Sequence, residues 1–508
     1  MRWVSAAVCG LVLGIGLLGG CSSSSSFDPS GNPLLDVRNP NLLAKDRVVA
    51  AELAWGEVES GVRVRGRTRE AFKDLAWSRA SDESLRLTLI RLLMSDASDE
   101  GSSDSEDLAR LMLPTERSPD VIGVIADAAV AHGWSSAVPA LVRSYARVSP
   151  NVPDADRGER AALEALVPGV PIEGIVYRVF LSPAGEGADV ERAVLQSSER
   201  TRDDAWTLLS RLDRDGRARA RLVSGGSTGA GSGADREVEM LRTGLRELGV
   251  LPRTGEELGW LRRLWYPDRE TDRALNRAWW SESAGLIAGL SDVQRRGMEL
   301  RHVEAVRWAG AHRRAWLGMD RAALLSELGE RLRERPRIMR KADKGQRPRS
   351  ERLRDREDAM TWGDVLTVLV ADEALADDGV RAQIFEQAEL DRRDETTEYG
   401  GIFEVGEAGA EGYRAVLFRP RARDRVSDEA FVASGDMVRF SDRALTHYHL
   451  QVSEDRLSKL AGPSTGDLVY AAVSGRTCLV FTSIGKGILN VDIYTPDGEI
   501  LDLGYYER

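Results

Sequence analysis

Cysteine is almost missing from this chain: three in 508 residues, at positions 9, 21 and 478. No two of them stand at the short spacing that a zinc deaminase requires, so that class is excluded. Histidine is scarce too, with five residues, and aromatic side chains make up 6%. Past the first twenty residues no hydrophobic run is long enough to span a membrane. There is no nucleophile-elbow pentapeptide, and the glycine-rich stretch at 224–235 lacks the lysine of a phosphate loop. Charged residues form 30% of the chain, with a net charge of -11. That balance describes a soluble acidic protein without a general nucleic-acid footprint, and no nucleic-acid partner is expected.

The N-terminus, "MRWVSAAVCGLVLGIGLLGGC", carries one positive charge, an apolar core and then small residues. The pattern predicts a signal peptide over residues 1–20, too short and wrongly flanked for a spanning helix. Leu18-Gly19-Gly20-Cys21 resembles the bacterial lipobox. That resemblance implies that Cys21 is acylated and becomes the mature N-terminus, with residues 21–43 as a polar tether. The membrane is then a partner through the lipid on Cys21. The protein would stand in the cell envelope, facing the periplasm or the exterior. Cys478 would remain as the only thiol of the mature body, so no intrachain disulfide is possible and packing alone must supply stability.

Residues 44–223 show apolar positions at three- and four-residue spacing, rich in Ala, Leu, Arg and Glu, and predict an α-helical region. In "SPDVIGVIADAAVAHGWSSAVPALVRSYARV" one helix should end near His132-Gly133 and a second begin with Pro139 in its first turn. The pair resembles a HEAT-type repeat, which implies a partly solenoid region able to hold a protein partner. Residues 224–235 read as a Gly/Ser linker. Residues 236–330 form a Trp-rich helical region whose tryptophans read as helix-packing aromatics, with a ligand groove as the alternative. The basic run around 331–359 reads as a solvated linker, with contact to anionic lipid headgroups or nucleic acid as the alternative, the latter disfavoured outside the cytoplasm. Residues 360–508 open with one or two helices and turn to short runs rich in Val, Ile, Phe and Tyr, such as "YGGIFEV" and "RTCLVFTSI". The expected architecture is therefore multidomain, a helical and partly solenoid N-terminal region followed by an α/β C-terminal domain.

Two of the five histidines fall in "LTHYHLQV". On a strand, His447 and His449 project from one face, where both can reach one divalent cation, and Asp467 in the following segment can be a third ligand. Three protein ligands with one open position is the arrangement of catalytic zinc. Around them, "ETTEYGGIFEV", "HYH", "GPSTGDL" and "YTPDGEILDLG" resemble the JAB/MPN family, whose catalytic members carry the JAMM metalloprotease motif. The resemblance covers about residues 360–508. It implies Glu398 as general base, one zinc on His447, His449 and Asp467, and Ser464 as the serine that steadies the oxyanion. Fourteen residues separate His449 from Ser464, more than the usual motif has, and Leu450 stands where many members carry Pro. Closing a longer loop adds little entropy cost.

The resulting expectation is an envelope lipoprotein with a zinc-dependent JAMM-like hydrolase domain. It would act on amide or isopeptide bonds of a peptide-bearing envelope substrate. The alternative is a lipid-anchored helical-repeat scaffold whose JAB-like domain is catalytically silent.

Overall fold

A computed structural model describes residues 30–78, 80–96, 98–147, 152–183, 192–225, 232–267, 269–338, 351–405, 412–425, 427, 431–453 and 461–508. The expected signal peptide and Cys21 lie outside these residues, as do 226–231 of the Gly/Ser stretch and 339–350 of the basic run. The described chain divides into two compact units, residues 1–105 with 118–128, and residues 106–117 with 129–508.

The first unit is helical, with helices Ala44–Glu59, Arg65–Trp77 and Glu83–Met94 as its main members. Asp82 caps the last of these by accepting from Ser84 N, which satisfies one of the free amides of the first turn. Leu85, Leu89, Ile90 and Leu93 recur on one helical face and are fully buried, and Trp55 stacks on Phe72 at 5.8 Å. The buried Arg69 bridges Asp96 at 2.6 Å and Asp104 at 2.9 Å, so its charge is paired within this core.

The second unit joins further helices to the sheet. The Pro119–His132 helix, part of the first unit as far as residue 128, ends where the sequence pattern places it, before Gly133 in the left-handed region, and Pro139 lies in the first turn of Val138–Ala146. Six strands form one mixed sheet: β1 Gly400–Val405, β2 Tyr413–Phe418, β3 Thr446–Gln451, β4 Cys478–Gly485, β5 Ile488–Tyr494 and β6 Ile500–Glu507. Their order is β2-β1-β3-β4-β5-β6. Only β3 and β4 run parallel, so their connection must cross over, and the Thr465–Ser474 helix makes that crossing.

Alternation along β3 sends its side chains to two different layers. Tyr448 faces the Asp378–Asp391 helix, bonding Gln387 there and packing on Phe403 and Phe481. The opposite face packs Cys478, Val480, Tyr494 and Ile500 against Ala471 of the crossover helix. Beside them Ile402 meets Met437 of the short Gly435–Phe440 helix. The two histidines lie on this second face, because His447 pairs with Ile402 and Cys478 in register.

The Trp-rich helices and the sheet share an ion network centred on the buried Arg301. Arg301 is ion-paired to Glu299 and Asp364, both at 2.6 Å, and donates to Thr477 at 3.2 Å. His302 Nε2 lies 3.1 Å from the same Asp364, and Arg253 bonds Asp497 in the β5–β6 turn at 2.7 Å. Trp260 donates to the carbonyl of Asp442 at 2.7 Å, while the Arg476 guanidinium stacks 3.7 Å above its ring. Both ends of the basic run are tied to β6: Tyr505 N donates to Pro336 O at 3.0 Å and Asp502 N to Glu351 O at 2.9 Å. These bonds cover part of an edge strand that would otherwise invite pairing with another chain.

Gly475 ends the crossover helix in the left-handed region at φ 70°. A Cβ there would run into the side chain of Glu257, so the glycine is required both by its dihedral and by this close approach. Burial, with the charge of Glu299 nearby, pushes the Glu257 carboxyl up to about 8. Its folded value thus exceeds its unfolded value of about 4.3. The stability this group contributes is complete below pH ~4.3 and is lost as pH rises through about 8. Glu257→Gln is expected to raise the melting temperature more at pH 8 than at pH 5. Equal melting shifts at the two pH values would refute the assignment.

Candidate metal centre

His447 and His449 stand two residues apart on β3 and are each 1% exposed. Asp467 lies in the first turn of the crossover helix, which Ser464 caps. Ser464 Oγ accepts from Asp467 N at 3.2 Å, and the Asp467 carboxylate accepts from Ser464 N at 2.7 Å. This capping box fixes where the carboxylate points. Asp467 Oδ2 sits 3.5 Å from His449 Nε2. That is long for a hydrogen bond and near the ~3.3 Å separation of two ligands on one tetrahedral zinc at ~2.0–2.1 Å.

Electrostatics separates the two imidazoles. Burial pushes His447 well below its ordinary value, and the charges of Arg476 and Arg263 add to that, so this ring is neutral. Burial acts the same way on His449, but the Asp467 carboxylate outweighs it, with Glu398 and Asp391 adding to the field, and the pKa rises. Asp467 is in turn held below the usual carboxylate range despite its burial, by His449 and by the amide of Ser464. A neutral His447 is the form that can offer a lone pair to a cation. Its Nδ1 lies 2.7 Å from the Tyr470 hydroxyl, and the tautomer with hydrogen on Nδ1 leaves Nε2 free to ligate.

The Nε2 atoms of His447 and His449 are both buried and have no hydrogen-bond partner among the described residues. An unsatisfied buried polar atom costs about 1–3 kcal/mol, which a cation at that point would relieve. Among the described residues no three His, Cys, Asp or Glu side chains close around one point as they stand. The His449–Asp467 pair has ligand spacing, and His447 shares its face. Cys478 stands beside His447 across the sheet, and burial pushes its thiol up to about 12.

Glu398 precedes β1, which pairs directly with β3 through Gly400 opposite His449. It is buried, and its charge acts on His449. The Gly400-Gly401 pair beside it has a steric reason. A Cβ on Gly400 would strike the Phe431 ring, and one on Gly401 would strike the Val416 carbonyl and the Tyr448 hydroxyl. Phe431 uses that space to lie parallel to His449, centroids 5.2 Å apart.

Of the five residues read from the sequence, His447 and His449 share one face of the sheet, Ser464 and Asp467 stand at the start of the helix that covers it, and Glu398 lies just before β1. Tyr470, Phe431 and Tyr494 escaped that reading. Tyr470 had a signal, since it follows Asp467 by three positions and so lies on the same helical face. Phe431 and Tyr494 had none, because only the tertiary fold brings them to the histidines. Compared with known protein families, with curated proteins and with solved structures, the chain matches none.

Proposed function

We propose that residues 360–508 form a JAB/MPN-like domain with a JAMM-type zinc site. In this reading the chain is an envelope lipoprotein that hydrolyses amide or isopeptide bonds of a peptide-bearing substrate. One observation carries the proposal: the strand with both histidines lies beside the strand that Glu398 enters, and the helix after it places Asp467 3.5 Å from His449. His447, His449 and Asp467 would hold the metal, which when bound supplies Lewis acidity at the scissile carbonyl. Glu398 takes the proton of the attacking water and returns it to the leaving amine. Ser464 fixes the direction of Asp467 through the capping box, beside the oxyanion role that the resemblance implies.

Glu398→Gln is expected to keep zinc while cutting hydrolysis of a lysine-linked isopeptide at least ~100-fold, since it removes a proton shuttle and no ligand. Loss of zinc in that variant would make Glu398 a fourth ligand and the site structural. The closed surroundings of the histidines, each 1% exposed with Phe431 parallel to His449, favour a second reading. There the metal site is silent and the chain is a lipid-anchored helical-repeat scaffold. Zinc-loaded wild type without hydrolysis would select it.

The anchor has its own test. No helix among the described residues is long and apolar enough to cross a membrane. Cys21→Ser is therefore expected to move the protein from the membrane to the soluble fraction. Tight membrane association of that variant in high salt would rule out the lipid anchor.

A further inference from the structure

Three cavities follow one another along the boundary between the Trp-rich helices and the sheet region. The central one, about 190 Å³, is lined by Arg263, Arg269, Arg439 and Arg443 together with three carboxylates, Asp272, Glu404 and Asp442. Those carboxylates have claims on them already. Asp442 takes Arg263 at 2.9 Å, Glu404 takes Arg414 at 2.6 Å, and Asp272 lies 3.7 Å from Arg269. Half-buried Arg443 makes no hydrogen bond or ion pair with any described residue, and acts on Asp442 only through space. Arg269 stacks on Phe440 at 4.2 Å, which holds its guanidinium in place at the rim.

The cavities on either side carry more apolar surface, with charged side chains at their margins: Glu247, Arg273 and Arg277 in one, Glu256 in the other. One, about 600 Å³, is walled by Leu264, Trp265, Tyr266 and Trp280 and shares Pro267 and Asn276 with the central cavity. The other, about 550 Å³, is walled by Val438, Tyr470 and Val473 and shares Arg263 and Arg439. Along the groove, the aromatic patch of Trp265, Tyr266 and Trp280, the arginine-rich centre and the patch of Val438, Tyr470 and Val473 follow in that order.

We propose that this groove binds an extended peptide in which an acidic residue is flanked by aromatic or aliphatic ones. The acidic side chain meets Arg443 in the central cavity, where a guanidinium offers paired donors to a carboxylate. Its neighbours fill the cavities on both sides. Recognition rests on charge matched at one point and apolar area on two, and it needs no metal.

The test is titration of the full chain with acetyl-Leu-Phe-Asp-Phe-Leu-amide, followed by tryptophan fluorescence. Its symmetric sequence makes the direction of the chain in the groove immaterial. The Asp peptide should bind at least tenfold more tightly than the same peptide with Asn. Arg443→Gln should remove most of that difference, and Trp265→Ala should weaken both peptides alike. Asp and Asn peptides of equal affinity would overturn the proposal without recourse to any variant. So would Arg443→Gln binding the Asp peptide as wild type does. Arg443-dependent binding of anionic vesicles, with no peptide binding, would overturn it in favour of a lipid headgroup.

Discussion

Arg301→Ala should lower the stability of the larger unit by about 3–5 kcal/mol, the cost typical of removing one partner from a buried ion pair. Arg301 is 3% exposed and lies between Glu299 and Asp364, which are themselves buried or nearly so. Both carboxyls sit below their usual range despite burial, and for each the Arg301 charge is the main cause that overcomes the desolvation. Without the guanidinium, Asp364 keeps His302 at 3.1 Å and its cap bonds to Thr361, while Glu299 keeps Arg253. Those contacts do not replace a charge held between two carboxylates. The loss should show as a lower melting temperature, with Trp260 exposed in the same transition, because the network and the Trp260–Asp442 bond span the same boundary. Arg301→Ala/Asp364→Asn should be less damaging than the sum of its two single variants, since the second change removes the charge stranded by the first. Strict additivity would show that the pair is not coupled.

The same network sets a pH dependence. Depressed carboxyls such as Asp364 and Glu299 contribute stability that is present above their unfolded values, about 4, and lost as pH falls through the folded ones. Glu257, raised to about 8, works in the opposite sense. The larger unit should therefore be most stable at mildly acidic pH.

Asp467→Asn should cost at least ~100-fold in zinc affinity while leaving the fold intact. An asparagine oxygen can still accept from Ser464 N, so the crossover helix keeps its cap. What disappears is the negative charge 3.5 Å from His449 Nε2, and with it a ligand that zinc prefers ionised. The same change removes the largest cause of the raised His449 pKa, so in the metal-free protein that histidine should titrate lower than in wild type. His447 should be unaffected, because its low value comes from burial and from Arg476 and Arg263. A histidine titration followed by NMR separates the two rings. An unchanged His449 would mean that the carboxylate does not govern it.

Local pattern foretold the strands. "YGGIFEV", "YRAVLFRP", "ALTHYHLQV", "RTCLVFTSI" and "LNVDIYTPDG" each contain one, because β-branched and aromatic residues bounded by Gly, Pro and Asp suit a pleated, half-buried surface. The common face of His447 and His449 followed from the two-residue period alone. Ser464 was read only through the resemblance, and Asp467 also as a carboxylate in the segment after the histidines; the structure adds that the same Ser-x-x-Asp is a capping box. The partners of the Trp-rich region were not legible. Trp260 and Asp442 are 182 positions apart, and Arg253 and Asp497 are 244 apart, separations at which composition and periodicity carry no information. The basic run around 331–359 shows the same limit. Its charge density reads as solvated chain, yet Arg335 pairs with buried Asp372 and stacks on Tyr506, and Arg356 pairs with Glu499.

Metal content of the purified full chain, measured by inductively coupled plasma mass spectrometry after dialysis, bears most directly on the proposed zinc site. The expected result is about one zinc per chain, falling to none in His447→Ala/His449→Ala. Wild-type protein that carries no zinc, and takes up none when zinc is supplied, would contradict it.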